Sequence, residues 1–161
     1  DVAVIPLPDF KQKMVQIGYL ARTANLLGIA TPKIACIAPS EQLLPNVISS
    51  TEGALLAKMA DRGQLGNVVV DGPLSLDVAL YKEVAEHKKV KGSSVAGDPD
   101  CLLFPNLESA NVFFKSVSHL CGGELAAMVM GTKVPCVLTS RGDTSKTKLF
   151  SIALACLAVK K

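Results

Sequence analysis

The chain has 161 residues, 49% of them hydrophobic and 19% charged, so it can bury a core and is too apolar to be disordered. Its net charge is +3, and its basic residues are scattered except at 87–91, which argues against the concentrated basic face of a nucleic-acid-binding protein. No apolar run reaches the roughly 18 residues of a membrane span. The sequence therefore predicts one globular domain with neither nucleic acid nor a membrane as partner.

Helical and strand patterns alternate along the first half of the chain. Apolar residues recur at helical spacing from Phe10 to Leu27, with Pro8 and Asp9 as start signals and Gly28 as a stop. The next predicted elements are a buried strand at 33–38, a helix with Ser50 or Thr51 as N-cap and Gly63 after its end, and a β-branched strand at 66–72.

The second half continues the same alternation. The predicted elements are a helix at 74–90, a strand at 100–105, a helix from Asn106 or Leu107 to 122, strands at 126–131 and 134–139, and a last helix capped by Asp143 or Thr144. Most of these strands lack polar alternation, as is typical of strands covered on both faces. The sequence therefore predicts an α/β fold with a mainly parallel sheet and helices on both faces.

Ligands of such sheets lie beyond the carboxyl ends of the strands, where this sequence has three polar loops, at 71–73, 105–111 and 139–145. In the third loop, the backbone N–H groups at a helix start, the guanidinium of Arg141 and the hydroxyls of Ser140, Thr144 and Ser145 form a candidate phosphate site. The alternative is an ordinary capped loop with Arg141 in water. The tripeptide Arg141–Asp143 also matches a cell-adhesion motif, which is too short to be specific.

The other two loops have plain alternatives as well. Asn106, Glu108 and Asn111 could face a carbonyl or phosphoryl group, or could serve as a helix cap and first-turn acid. Asp71 and Asp77 could act in acid–base catalysis. We favour the alternative, in which Asp71 closes a turn and Asp77 faces solvent.

The remaining candidates are the two histidines and the five cysteines. His87 and His119 lie late in predicted helices, and we interpret both as surface residues rather than catalytic bases. The cysteines are odd in number, widely spaced and set mostly in apolar runs, so we expect reduced, buried thiols in a cytoplasmic protein and no metal site. Since the chain opens without Met on a strand-like segment, we also expect a piece of a longer protein.

Three stretches together resemble the phosphate acetyl/butyryl transferase family, and its butyryl branch most closely: KMADRGQLGNVVVDGPLSLDVAL, LLFPNLESANVFFKS and VPCVLTSRGDTSKTKLFSIALA. The resemblance implies the exchange of a short acyl group between coenzyme A and phosphate, with coenzyme A as a substrate and no covalently bound cofactor. It also implies a fold similar to isocitrate and isopropylmalate dehydrogenases. Residues 1–139 would be the second α/β domain, and 140–161 an active-site loop and closing helix that packs on a missing N-terminal domain.

The resemblance also implies roles for individual residues. Arg141 would hold phosphate or acyl phosphate, and Ser140 would hydrogen-bond the reacting carbonyl or thiol region. Asn106, Glu108 and Asn111 match a family loop that borders the same cleft. Two residues depart from the family pattern. Ala110 stands where the family usually has Gly, and Thr147 stands where the acetyl branch has an acid. The nearest acid in this chain is Asp143, which is a weak candidate base.

Partners follow from the same resemblance: acyl-CoA, phosphate, the missing N-terminal domain and further copies of the chain in a homo-oligomer. We expect the chain alone to be inactive because half of the cleft would be absent. The alternative function is a non-catalytic acyl-CoA-binding module for regulation or assembly, similar to the domains fused to some malic enzymes. A dehydrogenase is a weaker alternative, because no dinucleotide motif is present.

Overall fold

The computed structural model describes residues 1–159. The elements in chain order are α1 (Phe10–Leu26), β1 (Lys33–Ile37), α2 (Ile48–Asp61), β2 (Val69–Leu74), α3 (Leu76–Leu80), α4 (Lys82–His87), β3 (Cys101–Leu103), α5 (Leu107–His119) and α6 (Ser145–Leu157). They fall into two compact units, Asp1–Asn111 and Val112–Lys161, with the boundary inside α5. None of the helices in the described part of the chain is long and apolar enough to cross a membrane.

The first unit is built on a parallel three-stranded sheet with the order β2-β1-β3. Ile34 of the central strand pairs with Val70 on one side and with Cys101 on the other. Since parallel neighbours require crossover connections, each strand is followed by a helix before the next strand begins.

Helices cover both faces of this sheet. Ile34 and Cys36 point to one face, where they pack with Ile17 of α1 and Leu56 of α2. On the opposite face, the buried cluster comprises Ala35, Ile37, Leu74, Val78, Ala79, Ala85 and Val95, with α3 and α4 as its cover. The predicted α/β fold with a parallel sheet and helices on both faces is confirmed.

The start of α1 agrees with its sequence signals. Asp9 accepts a hydrogen bond from the Gln12 backbone N–H at 2.8 Å, and the Gln12 side chain accepts one from the Asp9 N–H at 2.8 Å. This capping box satisfies two N–H groups that the helix cannot pair internally.

The predicted N-cap of α2 is wrong. The helix begins at Ile48 after Val47, whose side chain makes no capping hydrogen bond. Ser50 is fully buried instead, where its hydroxyl donates to the Gln42 carbonyl at 3.1 Å and accepts from the Leu44 N–H at 2.9 Å. Its hydroxyl therefore secures the preceding loop rather than the helix end.

The single helix predicted at 74–90 is two short helices, separated by Tyr81 in an extended conformation. The break has a tertiary cause, because the Gly97 N–H donates a hydrogen bond to the Ala79 carbonyl at 2.9 Å. Gly97 has φ +81° and lies so near Lys82 that an added Cβ would be 2.5 Å from its Cα. The backbone at Gly97 therefore occupies the place where the helix would have continued.

The strands predicted at 126–131 and 134–139 are also wrong. The two segments share one antiparallel bridge, Val129 with Cys136, and add nothing to the parallel sheet. The few residues between them can join only antiparallel neighbours, because a parallel pair needs a crossover of a dozen residues or more. A short apolar run does not reveal by its periodicity whether a sheet partner exists.

Candidate functional site

Asn106 directly precedes α5 and follows the strand β3 by three positions. Its Oδ1 accepts a hydrogen bond from the Ser109 N–H at 2.9 Å, and the Ser109 hydroxyl donates to the Asn106 carbonyl at 3.1 Å. Asn106 therefore acts as the cap of α5, one of the two roles open to it from sequence. The Asn106 amide nitrogen makes no hydrogen bond within the described part of the chain.

Asn111 lies one turn further along α5, and its Nδ2 donates to the Val2 carbonyl at 2.8 Å, so it ties the N-terminal segment to the helix. Glu108 is exposed in the first turn, where its charge suits the positive end of the helix. Ala110 between them is 1% exposed. Substrate contacts by Asn106, Glu108 and Asn111 stay a prediction.

The acids near the end of β2 have structural partners. Asp71 Oδ1 accepts from the Gly72 N–H at 2.8 Å. Asp77 Oδ2 lies 3.1 Å from Lys88 Nζ, which also lies 3.5 Å from Glu41 Oε2. Hydrogen bonds from Ser75 and Lys88 lower the pKa of Asp77 to about 2, so this carboxyl stays ionised and joins α3 to the end of α4.

In the second unit, the loop at 139–144 and the first turn of α6 are held by their own side chains. Asp143 Oδ2 accepts from the Ser140 N–H at 2.6 Å, and the Asp143 N–H donates to the Ser140 carbonyl at 3.1 Å. Thr144 caps α6 by accepting from the Thr147 N–H at 3.1 Å, which confirms one of the two predicted caps.

Arg141 is the exposed cation of this loop. Its guanidinium has no hydrogen bond or ion pair with any other described residue, and the side chain stands in solvent beside the start of the 13-residue α6. Ser140 and Ser145 are exposed as well. The loop thus presents an exposed cation, hydroxyls and the positive end of a helix on one stretch of backbone, a combination that suits an anion.

A cavity of about 290 Å³ adjoins this loop within the second unit. One wall is Gly142–Thr144 with Lys146 and Thr147, and the other is Ser118–His119 with Gly122–Leu125. The fully buried Ser151 joins α6 to the segment that follows the second wall. Its hydroxyl donates to the Thr147 carbonyl at 2.7 Å and accepts from the Ala127 N–H at 3.0 Å.

Sequence reasoning missed the second wall of this cavity. His119 ends α5, and the Gly122–Gly123 turn reverses the chain immediately afterwards. Gly122 has φ +66°, and a Cβ at Gly123 would lie 2.6 Å from Val117 Cγ1, so both positions favour glycine. The pair of glycines directly after a predicted helix could have indicated this wall, because such a pair allows the chain to reverse and pack against the end of the helix.

The expectation of five buried thiols is wrong for most of them. Cys36 is buried, Cys101 is half-buried, and Cys121, Cys136 and Cys156 are exposed. Apolar neighbours in sequence do not show which side of an element faces solvent. All five are free, and no group of three or more His, Cys, Asp or Glu side chains within 1–159 is arranged to hold a metal ion.

Comparisons with known proteins agree on one family. The family model described as Phosphate acetyl/butaryl transferase matches residues 1–156. The chain is 43% identical to the phosphate butyryltransferase of Clostridium acetobutylicum, over 98% of this chain and 52% of that protein. It is 39% identical to the phosphate acetyltransferase of Thermotoga maritima, over 96% of this chain and 52% of that protein.

A solved structure is similar over nearly the whole chain. The branched-chain phosphotransacylase of Enterococcus faecalis superposes with a TM-score of 0.88 and 30% identity, over 98% of this chain and 56% of that one. The chain thus spans about half the length of the relatives it matches. Since the family model covers all but the last residues, the chain belongs to the Phosphate acetyl/butaryl transferase family.

Proposed function

We propose that the whole protein transfers a short acyl group between coenzyme A and phosphate, so that acyl-CoA and phosphate give acyl phosphate and free coenzyme A. The observation that carries the proposal is Arg141, an exposed guanidinium that has no partner among residues 1–159 and stands beside the start of α6. Both substrates carry phosphate groups, for which a guanidinium offers a bidentate partner. Membership of the family and the names of the relatives support the same reaction.

Arg141 and Ser140 carry the chemistry in this proposal. As a phosphate oxygen attacks the thioester carbon, negative charge develops on the carbonyl oxygen. The guanidinium of Arg141 holds the phosphate, and the Ser140 hydroxyl hydrogen-bonds the reacting carbonyl or the sulfur. Donors fixed in advance stabilise such charge without reorganising, which is why they lower the barrier.

Thr144, Ser145, Asn106, Glu108 and Asn111 complete the proposed binding set. The Ser145 hydroxyl is exposed at the first residue of α6, where N–H groups and a hydroxyl can meet one anion. The amide nitrogen of Asn106 is available because the helix cap uses only its Oδ1. The capping and tethering contacts of Thr144 and Asn111 are compatible with a second contact to a substrate.

The proposal assigns 1–139 to the second domain of the protein and 140–161 to an active-site loop with a closing helix. In support, α6 buries its small residues Ser151 and Ala155 and exposes Leu149, Ile152 and Leu157, each more than half exposed. We propose that the N-terminal half of the protein covers this apolar face. In this proposal the protein is cytoplasmic and homo-oligomeric, and 1–161 alone turns over little substrate.

The test is release of coenzyme A in the presence of phosphate, from acetyl-, propionyl- and butyryl-CoA. The chain is compared with a completed enzyme, in which the N-terminal half of the Clostridium acetobutylicum relative is fused before it. We expect phosphate-dependent release by the completed enzyme and little by the chain alone. Acyl-CoA binding without turnover by the completed enzyme would overturn the proposal and favour a regulatory or assembly module.

A further inference from the structure

The cavity beside the loop at 139–144 and the start of α6 is lined by several groups that could exchange a proton. Four ionisable side chains line it: His119, Glu124, Asp143 and Lys146. They come from both walls of the cavity, and the buried Ser151 hydroxyl joins α6 to the segment that follows the second wall, at Ala127. These four side chains are therefore the candidates for proton transfer during the proposed reaction.

Three of the four are engaged elsewhere. Lys146 Nζ and the Glu124 carboxylate form an ion pair across the cavity. The Asp143 carboxylate accepts the Ser140 N–H at 2.6 Å and shapes the loop. His119 alone among them has no hydrogen bond or ion pair with any described residue, and it is exposed at the end of α5. Its imidazole is thus unengaged and accessible to a bound substrate.

We propose that His119 is the general acid–base residue of this protein, an inference that rests on the proposed function. The oxygen of hydrogen phosphate forms a bond to the acyl carbon, and the carbon–sulfur bond breaks. The imidazole accepts the proton that the phosphate loses, and gives it to the sulfur that leaves as coenzyme A thiol. In the reverse direction the imidazole takes the thiol proton. Protons and charge balance, so no further reactant is needed.

An imidazole suits this task better than the other groups. It can both accept and donate a proton near neutral pH, whereas the two carboxylates and the ammonium of this cavity are already engaged, with the Ser140 N–H and with each other. Thr147 lines the same cavity, but a hydroxyl that lies 3.1 Å from the Thr144 hydroxyl in a capped helix start is no base. The proton transfer is therefore proposed for His119, which lines the cavity at the end of α5, opposite the start of α6.

The experiment uses the completed enzyme with His119→Ala and measures turnover with and without added imidazole. His87→Ala is the matched control, because it removes the only other histidine of the chain, at the exposed end of α4. We expect His119→Ala to lower kcat about 100-fold or more while the protein stays folded by circular dichroism. Added imidazole should restore part of the rate, and more basic substituted imidazoles should restore more. His87→Ala should turn over like the unaltered enzyme.

Two results would overturn the inference while the proposed function stands. In the first, the completed enzyme is active and its His119→Ala variant has a kcat within about threefold of the unaltered enzyme's kcat. The other is a folded His119→Ala variant that is slow and gains nothing from any imidazole, since a positioning or binding role does not respond to an added base. An inactive completed enzyme without substitutions would instead overturn the proposed function, and this inference with it.

Discussion

Lys13 Nζ and Glu52 Oε2 lie 2.5 Å apart and join α1 to α2 through an ion pair that is largely removed from water. The side chain of Lys13 is 6% exposed and that of Glu52 is 20% exposed. Both line a small cavity at the carboxyl ends of β1 and β3, next to Cys36. An ammonium placed there is stable only while its partner carboxylate remains.

Glu52→Gln should therefore lower the free energy of unfolding by about 3 kcal/mol, because it leaves the Lys13 charge buried without a counterion. Urea denaturation measures this change. The double variant Lys13→Met/Glu52→Leu should lose less unfolding free energy than Glu52→Gln alone, since it removes both charges together. A loss below about 1 kcal/mol for Glu52→Gln would show that the pair behaves as an exposed one.

Two glycines should respond in opposite ways to alanine. Gly97→Ala should destabilise the chain by at least about 2 kcal/mol, because φ is +81° and the new Cβ would be 2.5 Å from Lys82 Cα. Gly18 lies inside α1 with nothing within 4 Å of an added Cβ, so Gly18→Ala should stabilise by up to about 1 kcal/mol. Thermal unfolding of both variants measures the two changes in stability. Equal shifts in melting temperature would contradict the prediction.

The five thiols should react with iodoacetamide in two groups. Burial, with a smaller effect of Asp71, raises the pKa of Cys36 to about 12, and burial raises the pKa of Cys101 to about 11, so neither forms much thiolate at pH 8. The other three thiols are exposed. Mass spectrometry should find Cys121, Cys136 and Cys156 modified first, and Cys36 only after unfolding. Early modification of Cys36 would contradict its burial.

Asp77 should contribute to acid stability. Hydrogen bonds from Ser75 and Lys88 lower its pKa to about 2 in the folded chain, below the ordinary value of about 3.9. Its contribution is therefore complete above pH 4 and is lost as the pH falls towards 2. The contribution is small because the side chain is half exposed. Asp77→Asn should make the decline in unfolding free energy between pH 4 and pH 2 shallower, and an unchanged slope would contradict this.

Local signals in the sequence predicted the elements that local forces determine. The Asp9 cap, the Gly28 stop and the apolar periodicity between them gave the correct bounds of α1 within a residue or two. The apolar run around Ile34 gave a buried central strand, because such runs need cover on both faces. The Thr144 cap of α6 followed from the same kind of reasoning.

Tertiary contacts decided the rest, and sequence patterns do not contain them. The break at Tyr81 comes from the Gly97 backbone, 16 positions away by its number, and Ser50 pairs with a loop rather than its own helix. His119 lies 23 positions before Gly142 by its number, yet both line one cavity because the glycine turn and Ser151 return the chain. Roles for such residues become visible only from the folded structure.

The measurement that tests the central claim most directly is phosphate-dependent release of coenzyme A by the completed enzyme with Arg141→Ala. Lys148→Ala is the matched control, because Lys148 is an exposed cation on α6 outside the proposed site. We predict that Arg141→Ala lowers kcat/KM about 100-fold or more, that Arg141→Lys restores little because it lacks the bidentate fork, and that Lys148→Ala has no effect. Turnover by Arg141→Ala equal to that of the unaltered enzyme would contradict the account.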